Sequence, residues 1–373
     1  MNGGKRKVAI LCGGRSGEHE ISLRSARSIV DAIDQERFEV QLIGIDKDGH
    51  WHRIDAAELR QLTEQGLLQL AGGSSEVALA PVPNQGRSIE PDRSAPPLGA
   101  EVVFPVLHGT FGEDGCIQGL LELADLPYVG AGVLGSAVGM DKDVQKRLLR
   151  AAGLPVVPFV TTSRARLAAD AEGERQRIGE LGLPLFVKPA NLGSSVGISK
   201  VDAWAELDSA IDTAAGYDTK LVIERGIDAR EIECAVLGND EPEASIAGEV
   251  CPQADFYSYE AKYVDDKGAK LLIPAPISAA EMAWVRALAV QVFRELELAG
   301  MARVDFFLER GTGQWYVNEV NTLPGFTNIS MYPKLWEASG LPYGELITRL
   351  IDLAVERHQQ RSRLRRSFAP VGS

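Results

Sequence analysis

Arg303-Val304-Asp305-Phe306-Phe307, followed by Tyr316-Val317-Asn318-Glu319-Val320-Asn321-Thr322-Leu323-Pro324-Gly325-Phe326, is the stretch around which the chain is organised. Both halves are short runs of β-branched and aromatic residues, and Gly311-Thr312-Gly313 between them supplies a turn, so the pattern predicts a β-hairpin. Side chains along a strand alternate with a period of two. Arg303 and Asp305 therefore share one face of the first strand, Glu319 and Asn321 share one face of the second, and Phe306 points the other way. If the register brings the polar faces together, two carboxylates, an amide oxygen and a guanidinium converge. Such hard oxygen ligands suit Mg²⁺, which is usually held by one or two carboxylates and shared with substrate phosphates. A hairpin whose polar face is merely wet would show the same residue types singly; the four together, closing on Asn321-Thr322-Leu323-Pro324-Gly325, favour a site.

A chain of 373 residues is too long for one ordinary core and predicts two or three domains. Its hydrophobic content of 45% and charged content of 24% fit a soluble globular protein. No apolar run approaches the ~18 residues of a membrane span, and Met1-Asn2-Gly3-Gly4-Lys5-Arg6-Lys7 leads into a short buried strand, not a signal-peptide core. The expectation is a cytoplasmic protein without membrane partners. Cys12, Cys116, Cys234 and Cys251 are scattered without Cys-x-x-Cys spacing, which indicates neither a zinc site nor a disulfide framework. A formal charge of −13 argues against nucleic acid as a partner, because phosphate backbones call for a basic footprint. A nucleotide is different: a small anion needs only a few local cations and backbone N–H groups.

The chain opens with Val8-Ala9-Ile10-Leu11-Cys12, a continuous apolar run that reads as a strand covered on both faces. A Gly-rich turn (Gly13 to Gly17), an amphipathic stretch to about residue 33 and a second strand over 40–45 make a doubly wound unit. Nicotinamide binding is rejected, since the glycines do not keep the Gly-x-Gly-x-x-Gly spacing and Glu18 and Glu20 would repel a pyrophosphate. A carboxylate there would accept an ammonium group, which points to an amino acid; favouring the helix dipole is the other reading. Residues 71–99, rich in Gly, Ser and Pro, read as a surface excursion with little regular structure. Strand signal returns at Val102 to Leu107 and ends in His108-Gly109-Thr110-Phe111-Gly112-Glu113-Asp114-Gly115. Loops at the carboxyl ends of parallel strands line the ligand crevice of such sheets, so His108 could meet Glu18 there, although a lone His is often structural.

A second unit begins near Gly139-Met140-Asp141-Lys142 with a basic amphipathic helix through Arg150. Phe186-Val187-Lys188-Pro189 reads as a strand end carrying a lysine, followed by the small-residue loop Asn191-Leu192-Gly193-Ser194-Ser195-Val196-Gly197. Gly and Ser let backbone close over phosphates; an ordinary Gly/Ser turn is the alternative, against which Lys142 and Lys188 weigh. The loop is not a Walker motif. Strands Leu221-Val222-Ile223-Glu224 and 231–237 are expected to complete this small sheet, facing the hairpin. Between Cys251 and Pro276, Asp255-Phe256-Tyr257-Ser258-Tyr259-Glu260-Ala261-Lys262-Tyr263 lacks helical or strand periodicity but carries four aromatics, the mark of a lid.

With these residues in hand the chain resembles the D-alanine–D-alanine ligases of the ATP-grasp superfamily, over about residues 8–354 and most specifically at 108–119 and 303–325. The resemblance implies an α/β and α+β protein of three domains: a doubly wound N-terminal domain (1–138), then the ATP-grasp fold made of a small central domain (139–236) and a C-terminal domain (237–373) with a lid at 252–275 and a disordered tail from about 358. It implies ATP, two Mg²⁺ or Mn²⁺ ions, two molecules of D-alanine, and a homodimer serving peptidoglycan synthesis. Asp305, Glu319 and Asn321 would hold the metals; Lys142 and Lys188 would contact phosphates under the loop of Ser194 and Ser195. Glu224 and the backbone of Arg225 to Ile227 would meet the adenine edge, Phe307 its face, and Glu231 the ribose. Glu18 would take the first ammonium, with His108 nearby; Ser330 and Met331 would bind the second carboxylate; Arg303 and the Gly325 N–H would form the oxyanion site. Lys262 would reach the transferred phosphoryl, and Tyr263 would bond Ser194, which bonds Glu18. The same resemblance leaves acceptors such as D-lactate or D-serine open, while a regulator without turnover should have lost Asp305, Glu319 or Arg303.

Overall fold

A computed structural model describes residues 4–64, 77–79, 88–89, 99–252 and 269–365. The first sheet comprises β1 (Arg6–Gly13), β2 (Phe38–Ile45), β3 (Trp51–Ile54) and β6 (Val102–Pro105), in the order β3-β2-β1-β6. β1 runs parallel to β2 and β6, and β3 closes the edge antiparallel. The apolar run of β1 is buried on both sides for a visible reason. Val8, Ile10 and Cys12 enter one core with Leu23 and Ile29 of α1 (His19–Ala32), while Ala9 and Leu11 enter another with Ile117 and Leu121 of α3 (Cys116–Leu123). This is the doubly wound unit that the sequence predicts. Helix α2 (Ala56–Glu64) follows β3, and α4 (Val133–Met140) leads out of the unit. Most of residues 71–99 lie outside the described residues, but within that stretch β4 (Ala78–Leu79) and β5 (Ser88–Ile89) form a short antiparallel ladder, regular structure the sequence did not announce.

The second sheet, β7-β10-β8-β9, contains β7 (Phe159–Thr162), β8 (Leu185–Pro189), β9 (Ser199–Val201) and β10 (Leu221–Arg225), all antiparallel. Helices α6 (Arg164–Ala169), α7 (Ala171–Gly179) and α8 (Leu207–Ala214) accompany it, and Ile178 of α7 and Ile211 of α8 join its core. Before it comes α5 (Lys142–Ala151), whose first turn is capped by Asp141 accepting from the N–H groups of Asp143 and Val144.

The third sheet, β13-β12-β11-β14-β15, contains β11 (Ala229–Gly238), β12 (Glu243–Pro252), β13 (Ala269–Leu272), β14 (Gly300–Glu309) and β15 (Trp315–Asn321). Alternation again sorts its residues. Cys234, Val236, Val304 and Phe306 face α9 (Ala279–Glu295), and Ala235, Leu237 and Met301 face the core shared with α10 (Met331–Ala338) and α11 (Tyr343–Ser362). Further along that second face the same parity carries Glu231 and Glu233 on β11 and Arg303, Asp305 and Phe307 on β14, so the cleft begins where the covering helices end.

Three expectations are corrected. The strand over 231–237 does not complete the small sheet; β11 pairs with β12 and β14, from Ala229 opposite Glu309 to Gly238 opposite Gly300, and a division after residue 236 would cut through it. Its alternation fits either sheet, so pairing had to decide. The segment 252–275 is not structureless at its far end, because β13 pairs with β12 from Glu249 opposite Leu272 to Pro252 opposite Ala269; residues 253–268 lie outside the described residues. The tail is not disordered from about 358: α11 continues to Ser362, Arg357 donates to the carbonyls of Tyr128 (3.0 Å) and Gly130, and His358 Nε2 lies 3.1 Å from the Asp125 carbonyl. Basic and polar composition here marks a helix that docks through its charged groups. No described helix is long and apolar enough to cross a membrane.

Arg357 also places its guanidinium 4.6 Å from the centre of the Tyr128 ring. Arg357→Met should therefore cost about 2 kcal/mol in urea denaturation, the scale of losing hydrogen bonds from a charged donor. A change under about 0.5 kcal/mol, as at an ordinary surface position, would contradict the docking role.

Candidate active site

The hairpin register brings the polar faces together. Arg303 lies opposite Asn321 and Asp305 opposite Glu319, after which a bulge resets the ladder so that Phe306 faces Val317 and Asn318 is the extra residue. Bulges re-aim side chains beside active sites. Arg303 donates from Nε to Asp305 Oδ1 and from Nη2 to Asp305 Oδ2, both at 2.7 Å, and its Nε is 2.9 Å from Glu233 Oε2 on β11. Asn321 Nδ2 donates to Asp305 Oδ2 at 2.9 Å. Asp305, Glu319 and Asn321 thus offer oxygen donors from facing positions of two adjacent strands, a set that fits a hard divalent cation; the Asn321 amide presents its oxygen by rotation.

Glu18 sits at the entrance to α1 and is buried. Ser194 Oγ donates to Glu18 Oε1, joining the N-terminal loop to the small-residue loop of the second sheet. Two glycines make room for this carboxylate: a Cβ on Gly109, where φ is +77°, would come 2.8 Å from Glu18 Oε2, and one on Gly193 would come 3.1 Å from it. Glu20, by contrast, is turned away and pairs with Lys47 at 2.6 Å. Ser194 and Ser195 both adopt left-handed backbone, φ 53° and 60°, which curls the loop tightly. His108 shares the crevice as expected, but both ring nitrogens are engaged, Nδ1 with the Leu323 carbonyl at 2.9 Å and Nε2 with Ser25 Oγ at 3.1 Å. These contacts join the loop after β6 to the loop after β15 and to α1. Burial opposes charge on the imidazole, but Glu113, followed by Glu18 and the Leu323 carbonyl, outweighs it and leaves the pKa raised.

On the other wall, Lys188 donates from β8 to Glu224 Oε2 on β10 at 2.7 Å. Glu224 Oε1 meets Lys146 of α5 at 3.0 Å. Burial alone would push the Glu224 carboxyl up; the attraction of Lys146 and Lys188 overrides it and holds the group at about 2. Burial works against the charge of Lys188 too, yet Glu224 and Glu319 keep its pKa above the ordinary lysine value. Lys142 approaches from behind, donating to the Leu192 carbonyl at 2.7 Å and standing 3.6 Å from Glu319 Oε2. The N–H groups of Arg225 and Gly226 are bonded to the carbonyls of Pro158 and Pro184 at 3.0 and 2.7 Å. One cleft of about 1530 Å³ is lined by Glu18, His108, Lys188, Ser194, Ser195, Glu224, Arg225, Ile227, Glu231, Arg303, Asp305, Phe307, Glu319, Asn321, Gly325, Ser330 and Met331. That exceeds the volume of a typical single-ligand pocket and leaves space for a nucleotide beside smaller substrates. Ser330 stands at the N-cap position of α10, but its Oγ is turned back to accept from the Thr327 N–H at 3.1 Å in the preceding loop, and the start of that helix faces the cleft.

A family model described as D-ala D-ala ligase N-terminus matches residues 7–131, and one described as D-ala D-ala ligase C-terminus matches residues 148–352. The chain belongs to the D-alanine–D-alanine ligase family. Over 355 residues it is 52% identical to D-alanine–D-alanine ligase A of Escherichia coli K12, covering 95% of this chain and 97% of that one. It is 51% identical over 363 residues to the D-alanine–D-alanine ligase of Thermoanaerobacter pseudethanolicus, covering 96% and 99%. The solved D-alanine–D-alanine ligase of Coxiella burnetii superposes with a TM-score of 0.83 at 40% identity, covering 96% of each chain. The VanG D-Ala:D-Ser ligase of Enterococcus faecalis superposes with a TM-score of 0.83 at 35% identity, covering 94% of this chain and 100% of that one.

Against this family background, every expected site residue among the described ones lies in or against the cleft. Lys262 and Tyr263 lie outside the described residues. Two charged residues escaped the sequence reading. Glu233, directly opposite Asp305, was hidden in a strand assigned to the wrong sheet. Lys146 follows Lys142 by one helical turn, a spacing visible in the sequence, but nothing there says that it is buried.

Because the His108 pKa is raised above its ordinary 6.5, its contribution to stability is full at acidic pH and is lost as pH rises through the folded-state value. The stability gap between wild type and His108→Gln should therefore be larger at about pH 5.5 than at about pH 8.5. Urea midpoints measured at both pH values check this, and a gap that widens at high pH would refute it.

Proposed function

We propose that this chain joins two molecules of D-alanine into D-alanyl-D-alanine, converting ATP to ADP and phosphate, for peptidoglycan precursor synthesis. The observation that carries the reading is the Ser194–Glu18 bond, which sets an ammonium-accepting carboxylate opposite the Arg303, Asp305 and Glu319 hairpin in one cleft. A carboxylate is a poor electrophile, so its oxygen first attacks the γ-phosphorus of ATP, ADP departs, and an acyl phosphate results. Lys142 and Lys188 bind the phosphates, with Ser194 and Ser195 in the loop above them. Asp305, Glu319 and Asn321 hold two Mg²⁺ or Mn²⁺ ions, which when bound neutralise charge on the transferring phosphoryl group. Phe307 lies against the adenine face, Glu231 at the ribose, and Ile227 at the adenine edge, since the neighbouring N–H groups are already bonded. The Glu224 side chain acts through its lysines.

Glu18 fixes the first ammonium. Ser330 and the N–H of Met331 receive the carboxylate of the second D-alanine, where the helix dipole of α10 favours an anion. The amine of that molecule, once deprotonated, attacks the acyl carbon, and phosphate leaves. Charge developing on the carbonyl oxygen is met by Arg303 and the Gly325 N–H; losing one such donor typically costs about 10²–10³ in rate. Acyl phosphates hydrolyse, so the cleft must exclude water. Lys262 and Tyr263 are assigned to this closure, the first reaching the phosphoryl and the second bonding Ser194. A cytoplasmic homodimer completes the proposal; the exposed Leu123 and Leu134 on the adjacent helices α3 and α4 offer apolar surface for such assembly.

ATP-dependent phosphate release with D-alanine, L-alanine, and D-alanine plus D-serine or D-lactate, with products identified by mass, tests the reading. D-alanyl-D-alanine from D-alanine alone is expected; no release with any pair would overturn it. Glu319→Gln should lower phosphate release on the order of 10²-fold or more, as for loss of a charge-stabilising group. Wild-type turnover in that variant would remove the metal assignment. Glu18→Gln should raise the KM for the first D-alanine about tenfold, equivalent to about 1.4 kcal/mol, and an unchanged KM would remove the ammonium role.

A further inference from the structure

Lys146 takes no part in the chemistry just described, yet it is only 1% exposed. A buried ammonium is costly, and a well-packed apolar residue is often at least as stable in its place, so stability is a weak explanation for it. Its surroundings give a stronger one. The Nζ stands between two attachments, 3.0 Å from Glu224 Oε1 and donating at 3.0 Å to the carbonyl of Asn318.

The first attachment sets charge. Lys188 occupies the other oxygen of the same carboxylate, so with both lysines protonated the trio carries a net single positive charge; burial lowers the Lys146 pKa, and the neighbouring Glu224 carboxylate draws it partly back up. Without Lys146, Glu224 would neutralise Lys188, and that pair would offer an incoming phosphate no net charge. The second attachment sets geometry. Asn318 is the bulged residue of β15, and the next residue, Glu319, lies opposite Asp305. A bulge interrupts the ladder and leaves its backbone in need of a partner; Lys146 supplies one for the carbonyl. One turn earlier on α5, Lys142 reaches toward Glu319 itself at 3.6 Å.

We propose that Lys146 is a positioning residue of the ligase site, keeping Lys188 positively charged toward the nucleotide phosphates and fixing the bulge that aims Glu319 at the metal site. The inference rests on the nucleotide and metal assignments of the proposed function. Three variants test it: Lys146→Met, Glu224→Gln and the two combined. Each is measured for ADP affinity by calorimetry, for KM of ATP and of D-alanine, and for the Mg²⁺ concentration giving half-maximal rate.

Lys146→Met should weaken ADP binding and raise the ATP KM about tenfold or more, the scale of one lost charge interaction. It should also raise the Mg²⁺ requirement while leaving the D-alanine KM within about twofold, a split that general loosening of the fold would not produce. Adding Glu224→Gln should restore ADP affinity to about that of Glu224→Gln alone, because Lys188 is then no longer neutralised. Unchanged ADP affinity in Lys146→Met, parallel loss for ATP and D-alanine, or a combined variant much weaker than Glu224→Gln would each overturn the inference. Should Lys146→Met not fold, the comparison of the combined variant with Glu224→Gln decides alone, since no buried carboxylate is then left unpaired. If wild type itself binds no ADP, it is the proposed function that fails.

Discussion

Glu233 and Asp305 face each other across adjacent strands, and two buried carboxylates in that position would repel strongly without the Arg303 guanidinium between them. This arrangement constrains everything around it. Arg303 cannot swing away without exposing like charges to each other, so its position is fixed before any substrate arrives. The Asp305 carboxylate is thereby held in place, so a cation of the kind proposed above would meet it with little reorganisation. The opposite wall repeats the device with signs reversed, one carboxylate serving two ammonium groups.

Much of this was legible in the sequence because period-two alternation is a strong signal. It placed Arg303, Asp305, Glu319 and Asn321 together and set Phe306, which is buried against α9, on the opposite face, whereas Phe307, which lines the cleft, was named only through the family resemblance. The continuous apolar run of β1 likewise announced a strand with a core on each side. Partners were less legible than faces. The alternation in β11 is satisfied by either neighbouring sheet, and only hydrogen bonding to β14 decides which. Lys146 and Arg357 defeat composition for the same reason: each is a charged residue whose partners, Asn318 and Glu224 or Tyr128 and Gly130, are distant in sequence. His108 lies in the crevice with Glu18, but its ring nitrogens meet Leu323 in the loop after β15 and Ser25 on α1, contacts that no local motif encodes.

The site is assembled from three sheets, and small residues make the junctions possible. Gly109 and Gly193 lie on loops of different sheets, and each leaves space for the same Glu18 carboxylate. The left-handed backbone of Ser194 and Ser195 costs conformational energy that an ordinary loop would avoid. In exchange the serine hydroxyl arrives at Glu18 from the far side of the cleft and holds the carboxylate in one place.

Helix α11 adds a consequence for how the protein is made. Leu346, Ile347, Leu350 and Ile351 lie in the same core as Val8, Ile10 and Leu23, and Arg6 donates to Asp352, 346 positions away. During synthesis, the first sheet emerges long before the helix that covers one of its faces. The part of its apolar surface that α1 does not cover must remain exposed, or be guarded, until α11 has been translated, so a core begun early is closed late.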